Sequence, residues 1–407
     1  MSAVSPRPSY AAVLRLPHAR RTFAAALAAR LSYGTAPIAV MLSVTRATGS
    51  YAVAGVVMAV FGATVVFLSP YRAALVDRHG PRRVLLPMAL LHAGLLCALA
   101  AACWHPGAPA PLLGLIAAVT GACAPPLGPT MRRVWGELAE DRLLLQRAYS
   151  LDGVAEELLY VTGPLLVGVL VGFAPPAAGV LLGALLMGVG TQAFVISPAV
   201  RSVRGSGAVR KGRGASLTPG RELWPPIVVA GGVGLSLSAV DLLVVAFAGQ
   251  RQLGDDTVAW VLAALSAGSA VGGLLNGTVD WRTPARVRLS FLAAGLGVTL
   301  GAAGLAPGVA TLAGAAACAG LFVAPALTTA YLIADDAAPA GFRTQAGAWV
   351  NTSVNAGSSA GAATMGVLVE RLPLGVCFVV AGGVSVGAAV CAAVCAELFA
   401  APAPTRA

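Results

Sequence analysis

Two adjacent carboxylates, Glu156 and Glu157, lie about nine or ten residues into an apolar run that covers roughly 148–172. If that run is a helix rising about 1.5 Å per residue, this depth is close to the centre of a bilayer. Ionisable side chains there are costly and mark proton carriers, ligand contacts or paired groups. Successive helical positions turn by about 100°, so only one of the two can point squarely into a given cavity. Glu157 is the better choice, because the residue 198 positions later is the polar Asn355, whereas the counterpart of Glu156 is Val354. A buried structural hydrogen bond is the other role open to it.

Arg30 lies about eight residues into an earlier apolar run, 22–44, at a depth similar to Glu157. An Arg30–Glu157 ion pair that protonation of the glutamate breaks would give a two-state element. Snorkelling of Arg30 to the interface is the alternative. Asp241, about sixteen residues into the run 225–248, is either a second carboxylate of a pathway or an outer cap. Asn351 and Asn355 fall one turn apart, with Thr352 and Ser358 nearby, and form a polar stripe suited to substrate contact or to hydrogen bonding between helices. His92 stands alone in its run and reads as a packed core residue, as does Asn276 at the end of another.

The elements that must position these groups follow from composition. Of 407 residues, 57% are hydrophobic and 11% charged, against about 25% charged in an ordinary soluble domain. Apolar runs long enough to cross about 30 Å of hydrocarbon recur at about 22–44, 51–74, 83–103, 110–130, 148–172, 177–197, 225–248, 257–279, 288–306, 309–333, 345–369 and 374–398. The expected fold class is therefore all-α and membrane-integral, with twelve transmembrane helices. Pro125, Pro126 and Pro129 predict a broken tip at the end of the fourth span.

With both termini cytoplasmic, the inside segments hold 23 basic residues, including Arg72, Arg132, Arg133, Arg147 and Arg288, and the outside segments hold Arg46, Arg251 and Arg371. That asymmetry fixes the expected orientation, in the inner (plasma) membrane. It also accounts for the net charge of +11 without a nucleic-acid partner, since no basic patch is interleaved with aromatics. The proline-containing N-terminal 21 residues precede a first span read as a retained helix, not a cleaved signal. The seven cysteines fall in or beside apolar runs without metal-ligand spacing and read as small core residues, and no metal or other cofactor is expected.

A polar, glycine-containing stretch at 198–222 divides the chain into six-helix halves, 1–197 and 223–407. Internal repetition supports the division. Asp77 and Asp280 follow the second and eighth spans, 203 positions apart, while Ala148, Gly163 and Gly168 recur as Ala346, Gly361 and Gly366 at an offset of 198. Duplicated six-helix units imply two pseudo-symmetric bundles around a site at mid-depth.

The loop Leu75, Asp77, Arg78, Gly80, Arg82, Arg83 resembles the signature G-x-L-a-D-R-x-G-R-R of the major facilitator superfamily, with Ala73 where that signature begins with glycine. Asp280 and Arg282 are a second, weaker copy. The resemblance implies a gate in which Asp77 caps a helix of the other half and pairs with arginine. Gly163-Pro164 resembles part of a fifth-span motif of drug/proton antiporters, with a helix kink as the purely structural alternative. Many proton-coupled members carry an arginine in mid-span four, where this chain has Ala117 to Gly121, so coupling through that residue is expected to be absent.

These features imply a monomeric carrier that exports a small amphipathic organic molecule, coupled to protons; uptake by facilitated diffusion or proton symport is the alternative. With Arg30 as the one arginine at mid-depth, a highly charged cargo is disfavoured. ATP-driven pumping is excluded for this chain, since the single lysine, Lys211, is followed by Gly212 and makes no Walker loop. A membrane enzyme would cluster His, Asp, Glu or Cys near one bilayer face, and a sensor would append a soluble domain; neither pattern occurs.

Overall fold

A computed structural model describes residues 9–203, 205, 219–339 and 341–398. Much of the expected linker (204 and 206–218) and the basic residues Arg7, Arg204, Arg210, Lys211, Arg213 and Arg406 lie outside the described residues.

Among the described residues the chain is helical and contains no strand. The first half comprises α1 (Tyr10–Arg15), α2 (Ala19–Thr48), α3 (Tyr51–His79), α4 (Pro81–Ala102), α5 (Ala110–Ala122), α6 (Leu127–Leu138), α7 (Arg142–Val171), α8 (Pro176–Ile196) and the short α9 (Pro198–Ser202). The second half comprises α10 (Trp224–Gln250), α11 (Asp255–Thr278), α12 (Ala285–Ala303), α13 (Val309–Ala337), α14 (Arg343–Val369) and α15 (Leu374–Leu398). Counting α5 and α6 as one interrupted span, eleven of these are long and apolar enough to cross a membrane. The twelfth, α14, has 27 residues, but its Asn351, Thr352, Ser353, Asn355, Ser358 and Ser359 dilute its apolar character. A polar helix of this length belongs where other helices, not lipid, surround it.

Packing groups the chain into two compact units. The first holds α1 to α6, α8, α9, the start of α14 through Ala348, and α7 apart from Tyr149–Val154. The second holds α10 to α13, α15, the rest of α14, and Tyr149–Val154 of α7. In the first, α2 and α4 pack on α8 while α3 packs on α5. In the second, α10 and α12 pack on α15 while α11 packs on α13. The same three pairings thus occur in each unit, as a duplicated six-helix unit requires.

Small residues make these pairings close, as expected where lipid removes any hydrophobic preference for protein over solvent. At the α2–α7 crossing, Gly34 and Gly163 meet backbone to backbone, and a methyl on either would overlap the other helix. In the second unit, Gly234 of α10 meets the backbone of Val354 of α14, and Gly361 of α14 meets that of Leu235 of α10, in the same way. α7 continues as helix through Pro164 to Val171, and the visible role of Gly163 is this close approach. Of the cysteines, Cys103 and Cys377 are buried as expected, whereas Cys97, Cys318 and Cys391 lie on exposed helix faces.

Gly163→Ala should lower the thermal midpoint in detergent despite alanine's better helix propensity, with overpacking costing about 1–3 kcal/mol. Gly168→Ala, where nothing lies within 4 Å of an added methyl, should leave the midpoint unchanged or raise it. Equal midpoints for the two variants would remove the close-approach role.

Candidate coupling and gating site

The first unit is organised around an interrupted helix. α5 stops at Ala122 and α6 restarts at Leu127, leaving Cys123 to Pro126 non-helical. Pro125 and Pro126 have no N–H to offer, so carbonyls around the break lose their usual partners. Inside a membrane such groups must be satisfied by protein. Arg72 of α3 does most of this, donating from Nη1 to the carbonyls of Gly121 (2.7 Å) and Ala122 (3.1 Å), while its Nη2 is held by the Val65 carbonyl of its own helix (2.6 Å). The Tyr33 hydroxyl donates to the Pro125 carbonyl, and Thr130 Oγ1 donates to that of Pro126 at 2.7 Å. His92 Nδ1 lies 2.8 Å from the Thr120 carbonyl; a carbonyl only accepts, so Nδ1 carries the proton. His92 is thus a packed core residue, and Arg72, expected in a cytoplasmic segment, is a buried helix cap.

Because the helix restarts, its continuation carries charge into the fold. Arg132 and Arg133 on α6 are both buried. Arg132 Nη2 lies 2.6 Å from Glu156 Oε2, and Arg30 Nη2 lies 2.9 Å from the same oxygen. The side chains of Arg30, Arg132 and Glu156 are 0%, 6% and 22% exposed. Two expectations are corrected here. Arg30 is buried and paired, so it does not snorkel. The pair runs to Glu156, which α7 turns toward α2 and α6, next to the expected partner Glu157. The fourth span does bring an arginine to the site, since Pro125 and Pro126 start a new helix where the sequence was read as entering a loop. Proline is well tolerated in a first helical turn, and Pro129 as the third residue of α6 was the available signal. Arg147 and Arg288, also assigned to loops, are likewise buried in helices, and Asp152 on α7 is fully buried.

The neighbouring arginine goes elsewhere. Arg133 Nη1 donates to Asp77 Oδ1 at 2.7 Å, and Asp77 also accepts from the backbone N–H groups of Thr344 (3.3 Å, Oδ1) and Gln345 (2.8 Å, Oδ2) in the first turn of α14. A carboxylate there answers both the free N–H groups and the positive end of the helix. Gly80, with φ +87°, makes the turn from α3 into α4, and Arg78 and Arg82 are exposed. The second copy of the loop is built differently. α3 continues through Asp77, but α11 ends at Thr278, before Asp280. Asp280 and Arg282 are consequently exposed. The buried polar group at that end is Asn276, whose Nδ2 donates to Ser150 Oγ at 3.3 Å and whose carbonyl accepts from Trp281 Nε1 at 3.3 Å. Arg288 stacks over the Trp281 ring at 5.1 Å.

In the second unit the polar stripe of α14 divides by direction. Ser353 and Ser358 donate to the Ile227 and Gly234 carbonyls of α10, at 2.7 and 3.1 Å, and so serve helix packing. Tyr331 of α13 donates to Asn351 Oδ1 at 3.4 Å, while the exposed Asn355 turns back to its own helix, Nδ2 to the Asn351 carbonyl at 2.8 Å. Asp241 is exposed on α10. Among the described residues, no three His, Cys, Asp or Glu side chains converge as a metal site would need.

Asp77→Asn should destabilise the folded protein in detergent by about 3–5 kcal/mol, because it leaves Arg133 buried without its counter-charge. Asp280→Asn should be silent within about 0.5 kcal/mol. Chemical denaturation of the two variants side by side checks the difference, and equal losses would mean that the two loops are structurally equivalent.

The fold is similar to that of several solved transporters. A bacterial homologue of the iron transporter ferroportin, in an outward-facing state, has a TM-score of 0.72 at 15% identity, covering 95% of this chain and 100% of that one. The human organic anion transporter MFSD10 (TETRAN) has 0.70 at 13% identity, covering 92% and 98%. The E. coli fucose:proton symporter FucP has 0.65 at 15% identity, covering 92% and 98%. Identities this low speak for fold alone. No curated protein matches the sequence. The Major Facilitator Superfamily model, however, matches residues 22–288. With helices that cross the membrane many times and a family model matched over most of its length, the chain belongs to the Major Facilitator Superfamily and is a transporter, not an enzyme.

Proposed function

We propose that the protein is a secondary active carrier in the inner membrane, both termini cytoplasmic, which exports a small amphipathic organic molecule by alternating access and is coupled to protons through Glu156. The observation that carries this reading is the Glu156 carboxylate held between Arg30 and Arg132. Protonating that carboxylate removes its charge and weakens two ion pairs at once, one of them a charge-assisted hydrogen bond from Arg132, so the two protonation states favour different side-chain arrangements. Asp77, bonded to Arg133 and to the first turn of α14, supports a gate of the kind the sequence motif implies. Asn351, Asn355 and Asp241 are the proposed polar contacts for cargo in the second half. Gly163-Pro164 favours export, on its likeness to the antiporter motif.

A second direction, uptake by proton symport, is favoured by Arg132. A second arginine beside Glu156 gives the site the means to hold an anion while the glutamate holds a proton.

Reconstituted protein should show cargo counterflow that responds to a pH gradient, and the sign of the gradient that drives accumulation distinguishes export from uptake. Glu156→Gln should retain counterflow at equal pH on both sides and lose the response to the gradient, while Glu157→Gln keeps it. A Glu156→Gln carrier still driven by the gradient would rule out Glu156 as the coupling group.

A further inference from the structure

We infer that Arg30 and Arg132 form a carboxylate-binding pair, and that the cargo is a small organic monocarboxylate that takes the place of Glu156 between them. The inference rests on Glu156 being an exchangeable carboxylate, as in the function proposed above, but not on the direction of transport.

The first argument is the order of burial. The arginine side chains are 0% and 6% exposed, the glutamate 22%. The exposed part of the cluster is therefore the carboxylate. An anion that displaces it leaves the more buried guanidinium groups in place and moves the less buried group.

The second argument is shape. Both Nη2 atoms converge on the single oxygen Oε2, at 2.9 and 2.6 Å, so the pair already holds the geometry of a carboxylate oxygen. Guanidinium groups suit planar oxyanions because their N–H donors are fixed in a fork. Gly128 passes beside the cluster without a side chain: a methyl there would lie 3.6 Å from Arg132 Nη1 and 3.8 Å from Glu156 Oε1.

Charge balance then sets the coupling. Among the described residues, the charged and titratable groups around Glu156 include Arg30 of α2 and Arg132 of α6, Tyr33 of α2 and, beyond Tyr33, Arg72 of α3, with Glu157 next to it on α7 and the buried Asp152 one turn before it. When the cargo carboxylate occupies the arginines, the displaced Glu156 takes one proton from a hydronium ion of the bulk solution, forming an O–H bond on its carboxylate and leaving water. One anion and one proton are then added together, so the loaded and empty sites carry the same net charge. A low-dielectric setting favours that equality, since a change in buried charge is expensive.

The test uses the full chain in detergent, with formate as the probe and sodium chloride at equal ionic strength as the control. Glu156→Ala should melt at a lower temperature than the unaltered protein. Millimolar formate should restore it saturably, formamide and chloride should not, and the double variant Glu156→Ala/Arg132→Gln should not respond. Glu156→Gln, which preserves side-chain size, gives the same readout if the alanine variant does not fold. In the unaltered protein, formate affinity should rise about tenfold for each unit fall in pH if one proton is linked. Equal rescue by chloride, no formate response in either Glu156 variant, or a pH-independent formate affinity would overturn the inference. Formate rescue together with a Glu156→Gln carrier that still responds to a pH gradient would sink the coupling role and leave the carboxylate site standing.

Discussion

Backbone carbonyls exposed by a break inside a membrane span must find donors within the protein, and much of the first unit is arranged around that requirement. Arg72, Tyr33, His92 and Thr130 come from four different helices to serve carbonyls between Thr120 and Pro126. Without them, the residues after Ala122 would have to continue as α-helix or leave the membrane, because unsatisfied peptide groups in hydrocarbon cost several kcal/mol each. With them, α6 can begin on a new course.

That course explains why one short helix carries both polar centres of the unit. Arg132 and Arg133 are consecutive, so their side chains leave α6 about 100° apart. One turns to Glu156 and the other to Asp77. A displacement of α6 therefore bears on the Glu156 cluster and on the cap of α14 together. The element is charged on two faces, so in the proposed carrier it is the part of the chain that would link protonation at one to opening at the other.

The membrane fold was legible in the sequence because length and apolarity are properties of each span taken alone. The expected run 22–44 lies inside α2, and 51–74 inside α3. Asp77 was legible because the turn at Gly80 and the charges around it form a local pattern. The partners of these residues were not. Glu157 was preferred to Glu156 on the polarity of Asn355, but the face that α7 presents to α2 and α6 is set by the Gly34–Gly163 approach, a contact between distant parts of the chain. Arg132 and Arg133 were read as loop charges because three prolines suggested an end. Whether proline ends one helix or starts another depends on donors supplied from elsewhere, here Arg72 and Tyr33. The second loop shows the converse: its sequence repeats the first, but α11 stops two residues before Asp280 and the repetition does not extend to the contacts.

The interrupted span also bears on how the chain enters the bilayer. α5 has 13 residues, which as helix reach about 20 Å, short of the roughly 30 Å of hydrocarbon to be crossed. The remaining depth falls to α6, whose arginines precede Glu156 in the order of synthesis. Arg133 can turn at once to Asp77, already made, whereas Arg132 must wait for α7. Lateral release of the fourth span into lipid would thus be delayed until the fifth arrives, and the two would partition from the translocation channel as a pair.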